Sequence, residues 1–236
     1  MLELLSFGDQ GWGDEMLLAG LMTILVSLSS VCLGLLIGVI LDSFKLSKSR
    51  ILKLIAEVYT TVVRGVPELL VIYLLFFGGS SAVMYFAKMF GYDGYIELNA
   101  FTIGTFAVGA ISGAYSTEVI RGAILAVPKG QFEAASSIGL NYYKSTRLIV
   151  LPQALKIVIP GIVNTFIAMT KDTSLVMIIG LFDILMITKS SITDAKWLGL
   201  EWEGYAFVGL LFWILCFSMS RYSQWLEKRL DTDRRD

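Results

Sequence analysis

From Met16 to Leu41 the chain carries no charged residue. As an α-helix rising ~1.5 Å per residue, this run is roughly 39 Å long. That exceeds the ~30 Å hydrocarbon core of a bilayer, so the run crosses a membrane with some tilt. Asp14 and Glu15 bound it on one side and Asp42 to Lys45 on the other. The composition agrees: 56% of residues are hydrophobic and only 17% charged, unlike a soluble globular chain. The first basic residue is Lys45, so the start of the chain does not read as a cleavable signal with a basic leading region.

Four further spans follow. Ile51 to Phe77 is mostly apolar but holds Glu57, Arg64 and Glu68. Pro67 removes a backbone donor there and predicts a kink or break. Gly78-Gly79-Ser80-Ser81 is the expected stop, although the uncharged run Leu69 to Ala87 leaves room for a later placement. Leu98 to Thr117 is the third span. The fourth starts after Pro152 as Ile157 to Thr170, meets Lys171-Asp172, and continues as Thr173 to Phe182. The fifth is Gly204 to Ser220, with Tyr222 and Trp225 forming an interfacial end. Asp231 to Asp236 reads as a solvated charged tail.

Lysine and arginine set the orientation. Residues 42–53, 121–156 and the segment after the fifth span hold fourteen of them; the alternate loops hold three. Positive loops stay in the cytoplasm. The expected fold is therefore all-α and integral to the membrane, as one transmembrane domain over residues 1–236, with five crossings, the N-terminus outside and the C-terminus inside.

Several function classes drop out. Net charge is −1, so nothing draws nucleic acid to the chain. There is no histidine, hence neither the commonest general base nor the commonest metal ligand. No nucleophile–base constellation or metal cluster stands out, so neither catalytic nor metal-binding residues are expected. No Walker A pattern occurs, so the chain should not bind ATP through a P-loop of its own. Cys32 and Cys216 lie in apolar runs and read as buried free thiols. Gly34/Gly38 and Gly109/Gly113 form small-xxx-small faces that suit helix packing inside a bundle.

Against this background QFEAASSIGLNYYKSTRLIVLPQA, residues 131–154, is too polar for lipid. Gln131 to Ile138 reads as a short amphipathic helix closed by Gly139, where the chain must turn through positive φ. Tyr142 to Leu151 resumes as a second helix that Pro152 interrupts. The residues alone leave two readings open: a structured surface loop, or a cytoplasmic docking helix.

The segment resembles the EAA loop of ABC importer permeases. That pattern is E-A-A, three residues, G, nine residues, I, one residue, L-P. Here Glu133-Ala134-Ala135, Gly139, Ile149, Leu151 and Pro152 keep every spacing. YTTVVRGVPELL (59–70) and GAYSTEVIRGAILAVPKGQFEAA (113–135) are similar to permeases of the polar amino acid uptake group, such as histidine/lysine/arginine/ornithine and opine transporters. The similarity covers about residues 15–230.

The resemblance implies a type I ABC importer permease of the bacterial inner membrane, with residues 128–152 as its coupling loop. It implies that Glu133, Ala134, Ala135, Gly139 and Leu140 meet a separate ATPase. The implied partners are two ATP-binding subunits holding ATP and magnesium, a second permease chain (identical or homologous), a periplasmic substrate-binding protein and the bilayer. The implied cargo is a polar, in particular basic, amino acid or an opine. A self-contained channel or secondary carrier is the alternative, but it needs no ATPase dock.

Ionisable residues inside a membrane face a bundle interior or a wet cavity. Glu118 and Asp172 are candidates to line a polar path for an ammonium group, with Arg64, Thr173 and Ser174 beside them. A break at Lys171-Asp172-Thr173-Ser174 would expose helix-end amides to a carboxylate. The plainer readings are that Glu118 and Arg121 neutralise each other, that residues 171–174 form a simple turn, and that Arg64 serves packing.

Overall fold

The computed structural model describes residues 6–8, 11–92, 94, 96 and 99–232. Every regular element among them is helical. Helix α1 (Gly13–Leu46) carries Asp14 and Glu15 in its first turn and Lys45 in its last, each sign placed against the opposite end of the helix dipole. Helix α2 (Arg50–Gly65) follows after a Ser49 cap. The chain then breaks at Val66-Pro67, where Val66 is extended, as expected for a residue preceding proline.

The second span is displaced from its expected place. Ile51 to Gly65 belongs to α2, an amphipathic helix. The apolar rod is Glu68–Met89, made of α3 (Glu68–Tyr73), a π-helical turn (Leu74–Gly78) and α4 (Gly79–Met89). The Gly-Gly-Ser-Ser stop does not stop it. Ser80 and Ser81 donate their hydroxyls to the Phe76 and Phe77 carbonyls at 2.6 and 2.9 Å. Both side chains are thereby satisfied within the helix.

Helix α5 (Ala100–Ala126) is capped by Asn99, whose side chain accepts from the Phe101 N–H at 2.8 Å. Leu98, the expected start of this span, lies outside the described residues. A short α6 (Lys129–Ser137) leads to α7 (Tyr142–Ser145), a π-helical turn (Thr146–Val150), α8 (Leu151–Asp172) and a 3₁₀ helix (Thr173–Ile179). These last four run on as one rod, Tyr142–Ile179. Pro152 therefore does not interrupt the helix as expected. The Leu151 N–H reaches back to the Thr146 carbonyl, and this wider turn makes room for the proline ring. Helices α9 (Ile184–Thr193) and α10 (Glu201–Thr232) complete the chain. Helix α10 passes the expected end at Ser220, so Asp231 and Thr232 are helical rather than tail. Residues 233–236 of the expected tail lie outside the described residues.

Among the described residues, four rods are long and apolar enough to cross a membrane: Gly13–Leu46, Glu68–Met89, Tyr142–Ile179 and Glu201–Leu230. At 27 residues, or about 40 Å, α5 is long enough but less apolar. It is the central helix, and its packing against α1 is the most extensive in the protein. Residues covered by protein rather than lipid can be small and hydroxylated. The paired glycines make that packing close, as their spacing predicts. A Cβ on Gly38 would stand 2.8 Å from the Ser116 Cβ, and one on Gly113 would stand 2.6 Å from Ile37 Cγ2. Around this seam lies the main core, which includes Val26, Ile72, Val108, Ile111, Met169 and Val176. The two cysteines depart from expectation: both are free, but Cys32 is exposed and Cys216 half-buried. Cys32 stands on the outer stripe of α1 with Leu25, Leu28 and Leu36, an apolar face turned away from the core.

Candidate functional site

The elbow is built by its own hydrogen bonds. Gly139 has φ +82°, a conformation glycine enters without Cβ strain. Its N–H donates to the Ser136 carbonyl at 3.0 Å, and the Leu140 N–H to the Ala135 carbonyl at 3.1 Å. This is the Schellman arrangement, and it satisfies the end of α6. Asn141 then caps α7 by accepting from the Lys144 N–H at 2.9 Å. The rings of Phe132 and Tyr142 stack across the turn with centroids 5.8 Å apart. Beneath, Val127, Val150 and Ala154 form a small core with Ile124 and Phe132. That core ties the elbow to the ends of α5 and α8.

The structure sorts the five expected docking residues. Glu133, Ala134 and Gly139 are exposed, and Leu140 is half-exposed. Ala135 is 1% exposed, so its methyl serves the chain's own packing and offers no surface to a partner.

Two hollows between the helices carry charged side chains in their walls. One, of about 530 Å³, is lined by Glu68, Tyr115, Asn164, Lys171 and Asp172 among others. Tyr115 donates its hydroxyl to Glu68 Oε1 at 3.2 Å. The second, of about 600 Å³, is lined by Lys45, Glu57, Thr60, Arg64, Glu118 and Arg121, and again by Tyr115. Lys45 pairs with Glu118 and donates to Thr60 Oγ1 at 2.8 Å. Arg121 stands 3.7 Å from the other Glu118 oxygen. Arg64 lies over the Tyr115 ring, 5.5 Å from its centroid. Tyr115 is thus the shared wall.

Glu118 and Asp172 therefore occupy neighbouring hollows rather than one, and Arg64 accompanies Glu118. Thr173 and Ser174 line neither. Thr173 is fully buried and donates to the Thr170 carbonyl at 2.7 Å; Ser174 donates to that of Lys171 at 2.7 Å. The expected break with free amides is absent. The helix tightens instead into a 3₁₀ stretch, and the Thr173 N–H is used on the Met169 and Lys171 carbonyls. Lys45 and Tyr115 were missed as site residues. Lys45 counts towards topology in the sequence, and only the fold shows that it turns inward. Tyr115 sits three residues before Glu118, on the same helix face, and that spacing was the available signal.

Residues 30–232 match the family described as binding-protein-dependent transport system inner membrane component. The chain belongs to this family. It is 47% identical over 185 residues to the nopaline transport system permease protein NocQ of Agrobacterium fabrum, covering 78% of each chain. It is 38% identical over 179 residues to the histidine/lysine/arginine/ornithine transport system permease protein HisQ of Salmonella typhimurium, covering 76% of this chain and 78% of that one. Its fold matches a chain in the crystal structure of an amino acid ABC transporter with histidines, with a TM-score of 0.80 and 28% identity over 92% of this chain and 95% of that one. This inner membrane component is accordingly a multi-pass permease subunit of an ABC importer, and permeases of that kind work with ATPase subunits.

Proposed function

We propose that this permease forms the membrane path of an ATP-driven importer for polar amino acids, in particular basic ones, or for opines. The observation that carries the reading is the elbow: an exposed short helix, fixed by Gly139 at φ +82° and rooted on α5 and α8. A rigid knob of this kind suits docking by a separate motor. Glu133, Ala134, Gly139 and Leu140 are its contact surface, and the motor subunits, two per complex, hold ATP and magnesium. In this reading residues 128–152 are the coupling loop of one permease domain. The four apolar rods and α5 make five crossings, with the N-terminus outside and the elbow in the cytoplasm, where the Lys and Arg excess lies. Five crossings enclose too little for a path alone, so a second permease chain, a copy or a homologue, completes it. A periplasmic binding protein delivers the cargo.

The hollow of about 530 Å³ holds two carboxylates, Glu68 and Asp172, against one ammonium, Lys171, and that excess favours a cationic amino group. The names of the relatives, nopaline and histidine/lysine/arginine/ornithine permeases, support the same class. The test is ATP hydrolysis by the reconstituted complex in proteoliposomes, scanned over binding proteins and solutes. Basic or polar amino acids are expected to stimulate. A response to sugars or metal ions alone would remove the substrate assignment, and uptake with no ATPase bound would point to a secondary carrier.

A further inference from the structure

A cleft of about 1030 Å³ opens at the elbow end of the protein. Its walls are the start of α8, Val127 and Pro128 at the α5–α6 junction, and Glu227 and Lys228 near the end of α10. On α8 it is lined by Gln153, Lys156, Pro160 and Asn164, with Gly161 beside them. Residues three or four apart share one helix face. The same face continues into the hollow of about 530 Å³, which also uses Gly161 and Asn164 and adds Ala168 and Asp172. The two spaces lie end to end along one stripe of α8.

The two spaces adjoin at Gly161 and Asn164. Val119 of α5 lies against Gly161, and a Cβ built on that glycine would stand 2.6 Å from Val119 Cγ1. Val119 lines the upper hollow and takes no part in the lower cleft.

We propose that Val119, seated on Gly161, is the inner gate of this permease: an apolar closure between the membrane hollow and the elbow-side vestibule. The inference rests on the permease reading above and on its orientation. The Val119–Gly161 contact itself offers no polar group to a passing charged solute, Asn164 standing three residues further along α8, and apolar constrictions close by excluding water. The contact is also well placed to be moved. Helix α5 continues from Val119 into the small core beneath the elbow, which holds Ile124 of α5 and Val127 at its end together with Val150 and Ala154 of the α8 rod. Because that core holds both helices, a displacement of the elbow reaches both sides of the Val119–Gly161 contact.

Thiol accessibility in the whole transporter tests this without substrate or ATP. In a background with Cys32→Ser and Cys216→Ser, Ala168→Cys reports from above the gate and Gln153→Cys from the vestibule. A membrane-impermeant methanethiosulfonate carrying a trimethylammonium group is applied from the elbow side of inside-out vesicles. Adding Val119→Ala is expected to speed reaction at Ala168→Cys by about tenfold or more as the dry constriction opens. Gln153→Cys should keep its rate. Val119→Ile, which preserves the closure, should leave both rates unchanged. Equal rates at Ala168→Cys with Val119 and with Val119→Ala overturn the gate. Acceleration of both reporters together also overturns it, by assigning Val119 to general packing. A failure of amino acids to stimulate hydrolysis would strike the transport reading alone and leave these rates to judge the gate.

Discussion

Lys45 at the foot of α1 forms an ion pair with Glu118 of α5, and its side chain is 6% exposed against 28% for the glutamate. The same ammonium donates to Thr60 of α2 at 2.8 Å. One cation therefore joins three helices. Without it, Glu118 keeps only Arg121, at 3.7 Å. Losing a charge-assisted hydrogen bond in a partly buried place costs about 2 kcal/mol, which is about 4–8 °C in Tm for a chain of this size. Lys45→Met is expected to lower the melting temperature of the purified complex by that amount. The exchange Lys45→Glu with Glu118→Lys should recover part of it. An unchanged melting temperature in Lys45→Met would reduce the pair to a screened surface contact.

The α1–α5 seam should tolerate no side chain at its glycines. A Cβ on Gly34 would stand 3.0 Å from the Gly113 amide nitrogen and closer still to Ser112. Backbone cannot step aside as a flexible side chain can, so the helices must separate. Gly34→Ala is expected to cost about 1–3 kcal/mol, the usual scale of overpacking, and Gly34→Val more. Gly122→Ala is the control, because nothing lies within 4 Å of a Cβ built there. The readout is the yield and melting temperature of the detergent-purified complex. Equal behaviour of Gly34→Ala and Gly122→Ala would contradict the close seam.

How much of this was legible follows from what each signal measures. Hydropathy marks lipid contact, so it placed the α1 run and the α10 rod, both of which show long apolar faces outward. It placed the second span badly because α2 is amphipathic and Gly78 to Ser81 looks like a turn. Local composition does not show that both serines return their hydroxyls to the helix. The elbow was the most legible part, since Gly139 is fixed by short-range hydrogen bonds with partners three to five residues away. The hollows were the least legible. Lys45 and Glu118 are separated by 73 positions, and no periodicity within one helix predicts their meeting.

At Gly139 the backbone itself is the test. With φ at +82°, a β-branched residue costs roughly 1–2 kcal/mol or more, whereas asparagine visits this region readily. No neighbour lies within 4 Å of a Cβ there, so strain rather than collision decides the outcome. Gly139→Val is expected to weaken recovery of the ATPase with the permease and to uncouple hydrolysis from uptake. Gly139→Asn should retain both. Normal transport by Gly139→Val would refute the elbow as the coupling element.

The charge of the upper hollow makes the sharpest claim about cargo. Glu68 and Asp172 line it together with Tyr115 and a single ammonium, Lys171, so one carboxylate charge is left over for a cargo cation to relieve. Asp172→Asn and Glu68→Gln should each lower arginine-stimulated hydrolysis and arginine uptake about tenfold, the loss of about 1.4 kcal/mol. Glutamine has no side-chain cation, and its uptake should fall much less. Lys45 already neutralises Glu118 in the neighbouring hollow, so Glu118→Gln should affect the melting temperature more than the arginine-to-glutamine ratio. Equal losses for arginine and glutamine in Asp172→Asn would make that carboxylate a packing or gating group and would remove it from cargo recognition.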